Sequence, residues 1–117
     1  MTAMPAFAEI VDPDAIYAID GDTLAIGNER IRLVGYDTPE TYRAKCSFEK
    51  ALGDGATARL RALIGSGLIV DLTILPGRDR YGRLLGRFAV GGDSVGRILV
   101  AEGLARPYKG GRRGGWC

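Results

Sequence analysis

Apolar positions along the chain switch between two periods, and the switches divide it into elements. Ile16 to Ile19 and Thr23 to Ile26 alternate as short strands, interrupted at Asp20-Gly21-Asp22. Gly27-Asn28 reads as a tight hairpin turn, because both residues tolerate positive φ. Arg30 to Tyr36 returns as the next strand, with Ile31 and Leu33 on one face and Arg30 and Arg32 on the other. After a loop from Asp37 to Cys46 the period lengthens. Ser47 is placed to cap a helix carrying Phe48, Leu52, Ala56, Leu60 and Leu63, and Gly65-Ser66-Gly67 stops it. Leu68 to Leu75 and Leu84 to Val90 are two further strands, with Pro76-Gly77 closing the first and Gly91-Gly92 the second. Asp93 or Ser94 caps a second short helix with Val95, Ile98 and Leu99 inward, ended by Gly103.

Three strands, a helix, two strands and a helix form a mainly β, α+β order. It predicts a five-stranded OB-type barrel with a helix inserted after the third strand. Strands that follow strands directly argue against a doubly wound sheet. The 117 residues suit a single domain, 1–117, with a core over about 15–108 and a glycine- and arginine-rich tail over 109–117.

The hydrophobic share of 46% and charged share of 26% are those of an ordinary globular domain, and a net charge of +2 singles out no partner. Its distribution says more: Arg106, Lys109, Arg112 and Arg113 close the chain with no acidic residue after Glu102. Such a surface suits a polyanion, although a solvated arginine-rich face has the same composition. No apolar stretch reaches membrane-spanning length, and the chain is expected to be a monomer. The segment Met1 to Ala8 is too short for a complete signal peptide, while Ala6-Phe7-Ala8 has the small-residue spacing that precedes a cleavage site. Secreted, periplasmic and cytoplasmic placements therefore stay open.

Histidine is absent, which removes the commonest general base and the commonest zinc ligand together. Acid–base work then falls to carboxylates, and a bound metal should be a hard cation such as calcium or magnesium. Four clusters carry candidate chemistry: Asp20-Gly21-Asp22-Thr23, Arg30-Ile31-Arg32-Leu33, Asp37-Thr38-Pro39-Glu40 and Asp79-Arg80-Tyr81-Gly82-Arg83. Each alone has a plain alternative: a turn, a solvent-facing strand, a strand exit, a charged hairpin loop.

In this order, with Arg32 five residues before Asp37, they resemble the staphylococcal-nuclease (thermonuclease) family over roughly residues 15 to 108. The similarity extends through Leu99-Val100-Ala101-Glu102-Gly103-Leu104-Ala105. The resemblance implies a calcium-dependent endonuclease that acts on DNA or RNA and leaves 3′-phosphate and 5′-hydroxyl ends. It implies that Asp22, Asp37 and the Thr38 carbonyl hold the calcium, and that Glu40 orients or deprotonates the attacking water. Arg32 and Arg83 would grip the scissile phosphate, with Arg80, Tyr81 and Tyr108 contributing to substrate binding. The loop after Glu40 is shorter than in the family and the hairpin tighter. One pocket tyrosine fits between Leu104 and Lys109 where the family has two, and nothing corresponds to its C-terminal helix. The alternative class is a non-catalytic module of the same shape that binds nucleic acid or protein. Joint retention of Asp22, Arg32, Asp37, Glu40 and Arg83 discriminates against it, since binding alone has no use for all five.

Two readings of the cysteines stay open, a pair of free thiols or a Cys46–Cys117 bridge in oxidised protein. A terminal Trp116-Cys117 after a glycine-rich run speaks for the bridge, since a loose tail has no use for a tryptophan.

Overall fold

The computed structural model describes residues 8–117; the Ala6-Phe7-Ala8 pattern lies mostly outside them. Strands β1 (Ala8–Val11), β2 (Tyr17–Asp20), β3 (Thr23–Ile26), β4 (Glu29–Leu33) and β5 (Tyr36–Asp37) precede helix α1 (Ser47–Ile64). Then follow β6 (Val70–Arg78), β7 (Leu84–Val90), β8 (Asp93–Ser94), α2 (Val95–Ala101) and β9 (Arg106–Pro107). The main sheet runs β1-β6-β7-β4-β3-β2, with β8 added to β7, and a separate short ladder joins β5 to β9. Every pairing is antiparallel except β4 with β7, where Arg32 stands opposite Leu85. This is the mainly β, OB-type arrangement that the element order predicts. Among the described residues the path stays open between β1 and β2 instead of closing into a barrel. No helix of the described residues is long and apolar enough to cross a membrane.

Leu24, Ile31, Leu33, Val70 and Phe88 of the sheet pack with Leu60, Val95 and Leu99 of the helices into one core. Arg61 fastens α1 to β2 by donating to the Ala18 carbonyl at 3.1 Å through Nε and to the Tyr17 hydroxyl at 2.7 Å.

Three local expectations shift. Cys46, and not Ser47, is the N-cap of α1, its Sγ accepting from the Glu49 amide at 3.4 Å. Phe48 is 62% exposed, because the inward line of the first turns is Glu49, Gly53 and Ala56. The strand expected over Arg30 to Tyr36 splits at Val34-Gly35, where Gly35 takes φ +95, and β5 turns away to meet β9. Strand β1 has no counterpart in the pattern reading. It pairs through Ala8 opposite Thr73, a partner far away in sequence.

Candidate metal and phosphate site

The β3–β4 hairpin turns at Gly27-Asn28 and sets Thr23 opposite Arg32, so Asp22 lies one residue beyond Arg32 on the partner strand. The Arg32 guanidinium spans that step, placing Nη1 2.8 Å from Asp22 Oδ2. It also donates to the Leu33 carbonyl at 2.8 Å and to the Tyr36 carbonyl at 3.2 Å. Three partners on one planar fork leave it little freedom.

Asp37 arrives from β5, 1% exposed, and Thr38 follows it into the interior. The acid of Asp22 is pushed up to about 6, first by burial and then by neighbouring Asp20, against the opposing pull of Arg32. Asp37 Oδ1 is buried, and within hydrogen-bond reach it meets only the guanidinium of Arg113, as an ion pair. Two half-compensated carboxylates beside a backbone carbonyl are an oxygen donor set, the chemistry a hard divalent cation requires. Asp22, Asp37 and the Thr38 carbonyl therefore fit such an ion, as two carboxylates and one main-chain oxygen. No cluster of three or more metal-binding side chains occurs among the described residues.

Arg83 reaches the same place from the turn between β6 and β7. Its Nε donates to Asp79 Oδ2 at 2.7 Å, and its Nη1 to the Thr23 hydroxyl at 3.4 Å. Asp79 also accepts the Tyr81 and Arg83 amides, at 3.0 and 2.9 Å, and so fixes the whole turn. A polar cleft of about 430 Å³ is lined by Asp20, Asp22, Arg30, Arg32, Thr38, Glu40, Tyr81, Arg83 and Arg113. It brings together the expected arginines, Glu40, Asp22, Thr38 and Tyr81. Asp37 stands behind it, joined to Arg32 at 3.9 Å. Arg80 and Tyr108 are not among the residues that line it: Arg80 lies over the Tyr81 ring, and the Tyr108 hydroxyl donates to the Gly111 carbonyl at 2.6 Å.

Several residues absent from the motif reading shape the site. Glu49 is 4% exposed and accepts the Lys45 amide at 2.7 Å and the Glu40 amide at 3.5 Å, tying the loop to α1. At Gly53 a Cβ would stand 2.7 Å from the carbonyl oxygens of Pro39 and Glu40. The Tyr36 hydroxyl donates to the Gly21 carbonyl at 2.7 Å, and a Cβ on Gly21 would meet the Thr38 methyl at 2.8 Å. Glycines in a helix or a turn signal nothing by composition; their role exists only where another backbone comes close.

Finally, the tail closes over the site. Cys46 and Cys117 are bonded, with Cα atoms 6.1 Å apart. The Arg106 guanidinium stacks on Trp116 at 3.6 Å and donates to the Gly115 carbonyl at 2.8 Å. Along this path Arg113 enters the cleft. Its guanidinium lies against Asp37 Oδ1, 3.1 Å from Glu40 Oε1, and donates to the Thr38 carbonyl at 3.5 Å.

An OB-type sheet with an inserted helix, two arginines and paired carboxylates in one cleft defines the class, and comparison with known proteins agrees. Residues 30–114 match the family described as Staphylococcal nuclease homologue. The chain is 40% identical over 103 residues to the SPbeta prophage-derived endonuclease YokF of Bacillus subtilis, covering 84% of this chain and 34% of that protein. It is 39% identical over 94 residues to endonuclease YncB of Bacillus subtilis, covering 76% of this chain and 44% of that protein. With the thermonuclease of Staphylococcus intermedius it shares 33% identity over 92 residues, 75% of this chain and 54% of that protein. The chain thus spans between a third and just over half the length of these relatives. It belongs to the staphylococcal nuclease homologue family.

Proposed function

We propose that this domain is a calcium-dependent nuclease that hydrolyses phosphodiester bonds of DNA or RNA. The observation that carries the reading is the convergence of Arg32, Arg83 and Glu40 on one cleft backed by the buried carboxylates of Asp22 and Asp37. Asp22, Asp37 and the Thr38 carbonyl would hold the cation, whose chemistry is Lewis-acid neutralisation of charge at a phosphoryl oxygen.

The remaining work belongs to the chain's own groups. A phosphodiester repels a water nucleophile until its charge is screened. Arg32 and Arg83 offer forked donors to its oxygens, and their grip strengthens as charge builds toward the transition state. Arg32 is held by carbonyls and Asp22, and Arg83 by Asp79, so neither has to reorganise when substrate arrives. The Glu40 side chain, 3.1 Å from Arg113 through Oε1, is still 46% exposed and would meet a water there, from which it takes the proton as the oxygen bonds to phosphorus. The bond from phosphorus to the 5′-oxygen breaks, and that oxygen takes a proton from solvent, leaving 3′-phosphate and 5′-hydroxyl ends. The exposed Tyr81 ring offers a face for a base or sugar beside Arg83.

Digestion of plasmid and RNA with calcium, with magnesium, or with excess chelator tests the reading. Cleavage is expected with calcium and none with chelator. Arg32→Ala, Glu40→Ala and Arg83→Ala should each lower kcat by on the order of 100-fold or more with the fold intact. Near wild-type rates in all three would overturn the assignment. Binding of nucleic acid without cleavage under any metal would favour the non-catalytic module.

A further inference from the structure

We propose that the C-terminal tail, strapped to the start of α1 by the Cys46–Cys117 bond, holds Arg113 in the metal cradle as an internal cation that the divalent ion must displace. The inference rests on the reading of Asp22, Asp37 and Thr38 as that cradle.

The partners of Arg113 are the argument. Its guanidinium touches Asp37 Oδ1, the Thr38 carbonyl and Glu40 Oε1: two oxygens assigned to the cation and one assigned to the water. A guanidinium and a divalent ion cannot share those oxygens, because the two cations repel at close range in a half-buried site. Asp37 is almost fully buried, but the Arg113 side chain that reaches it stays 42% exposed, and an ion pair so open to solvent contributes little by itself. Such a contact needs a reason to persist, and the path of the tail supplies one.

That path is fixed at both ends. At its start, β9 pairs with β5, setting Arg106 opposite Asp37 itself. Gly110 and Gly111 take φ +100 and +84, which turns the chain back toward the cleft. At its end, Trp116 packs on Arg106 and Cys117 is bonded to Cys46. Arg113 lies four residues before that bond, so its Cα stays within roughly 14 Å of Cys117 even when the chain is extended. A group tethered at both ends competes at an effective concentration in the millimolar range, and one tethered through β9 alone at a lower one. The apparent metal affinity is then the intrinsic affinity multiplied by the fraction of molecules with Arg113 withdrawn. Reduction of the bond frees the end of the tail and raises that fraction.

Calorimetric titration of calcium into oxidised protein decides the matter without reference to turnover. Arg113→Gln and, separately, Cys117→Ser, which leaves the Cys46 cap in place, are each expected to bind calcium about tenfold more tightly than wild type. That is the scale of one charge-assisted hydrogen bond lost by the competitor. The double variant should gain no more than Arg113→Gln alone, since both changes remove the same competition. Circular dichroism shows that each variant folds, and reduced wild type repeats the Cys117→Ser measurement without a mutation. An unchanged dissociation constant in Arg113→Gln, in a wild type that binds calcium and loses it in Asp37→Asn, overturns this inference and leaves the nuclease reading standing. Absence of calcium binding in every variant overturns both.

Discussion

Gly53 lies against the main chain of Glu40 so closely that a β-carbon would stand 2.7 Å from the Glu40 carbonyl oxygen, and equally close to that of Pro39. The loop bearing the proposed base is thus seated directly on the α1 backbone. Elsewhere in a helix, replacing glycine by alanine stabilises by roughly 1 kcal/mol. Here Gly53→Ala should do the reverse. The obstacle is main-chain carbonyl, which cannot rotate away as a side chain could, so either the loop lifts or the helix shifts. The expected result is a lower melting temperature together with a fall in kcat of on the order of tenfold or more, since small misplacements of catalytic groups are costly. A melting temperature above wild type would show that the loop yields without strain.

Tyr36 supports the opposite wall. Its hydroxyl donates to the Gly21 carbonyl in the Asp20-Gly21-Asp22 turn, and its ring lies where a Cβ on Gly96 would come within 2.6 Å. Burial above all, with Asp22 adding to it, pushes the phenol far above its ordinary range, so it remains a donor at every accessible pH. Tyr36→Phe keeps the packing and leaves the Gly21 carbonyl unpaired, a loss of about 1–3 kcal/mol. Thermal melts should register it as several degrees. Calcium titration should show weaker binding, because the turn that carries Asp22 loses its tie. Equal melting temperatures would mean that water replaces the hydroxyl.

Much of this was legible beforehand, and the reason is locality. The Gly27-Asn28 hairpin places Asp22 one residue past the partner of Arg32, which follows from turn length alone; the 2.8 Å ion pair completes what the register begins. Asp79 and Arg83 meet within a single five-residue turn. The unread parts depend on segments distant in sequence. Glu49 looks like a solvent-facing helix residue until Lys45 and Glu40 bring their amides to it. Phe48 follows the apolar period, yet the first turns of α1 face the loop instead of the core. Arg113 reads as one charge of a basic tail, and its position depends on a bond to a residue 71 positions away.

Asp79 gives the site a pH dependence. Burial pushes its acid up, but the Arg83 amide and side chain and the Tyr81 amide outweigh this and leave it below the ordinary carboxylate value of 3.8. A lowered folded value means that the stabilisation is complete above the unfolded value and is lost as pH falls through the folded one. Wild type should therefore melt above Asp79→Asn at pH 6, and the gap should close as pH falls below the ordinary value of 3.8 and through the lowered folded one. The same variant unpins Arg83 and should lower kcat at neutral pH by about tenfold. A melting gap independent of pH would remove the carboxylate charge from the explanation.

The Cys46–Cys117 bond should dominate the stability of the domain. With a sequence separation of 71, it ties the end of the chain to the start of α1 and encloses the helices, β6, β7 and the arginine turn. In the chain-entropy model, closing a loop of that length costs the unfolded ensemble about 4 kcal/mol, a large share of what a domain of this size possesses. In the native state Trp116 on Arg106 and the Gly115 carbonyl add contacts to the tail that the bond holds in place. Reduction is therefore expected to lower the melting temperature by on the order of 10 °C or more. Cys117→Ser should melt with reduced wild type, while Cys46→Ser should fall no further, serine being itself a good helix cap. Intact-mass analysis before and after reductant counts the thiols. Two free thiols in air-oxidised, folded protein, or coincident melts with and without reductant, would show that the tail is held by its stacking contacts alone.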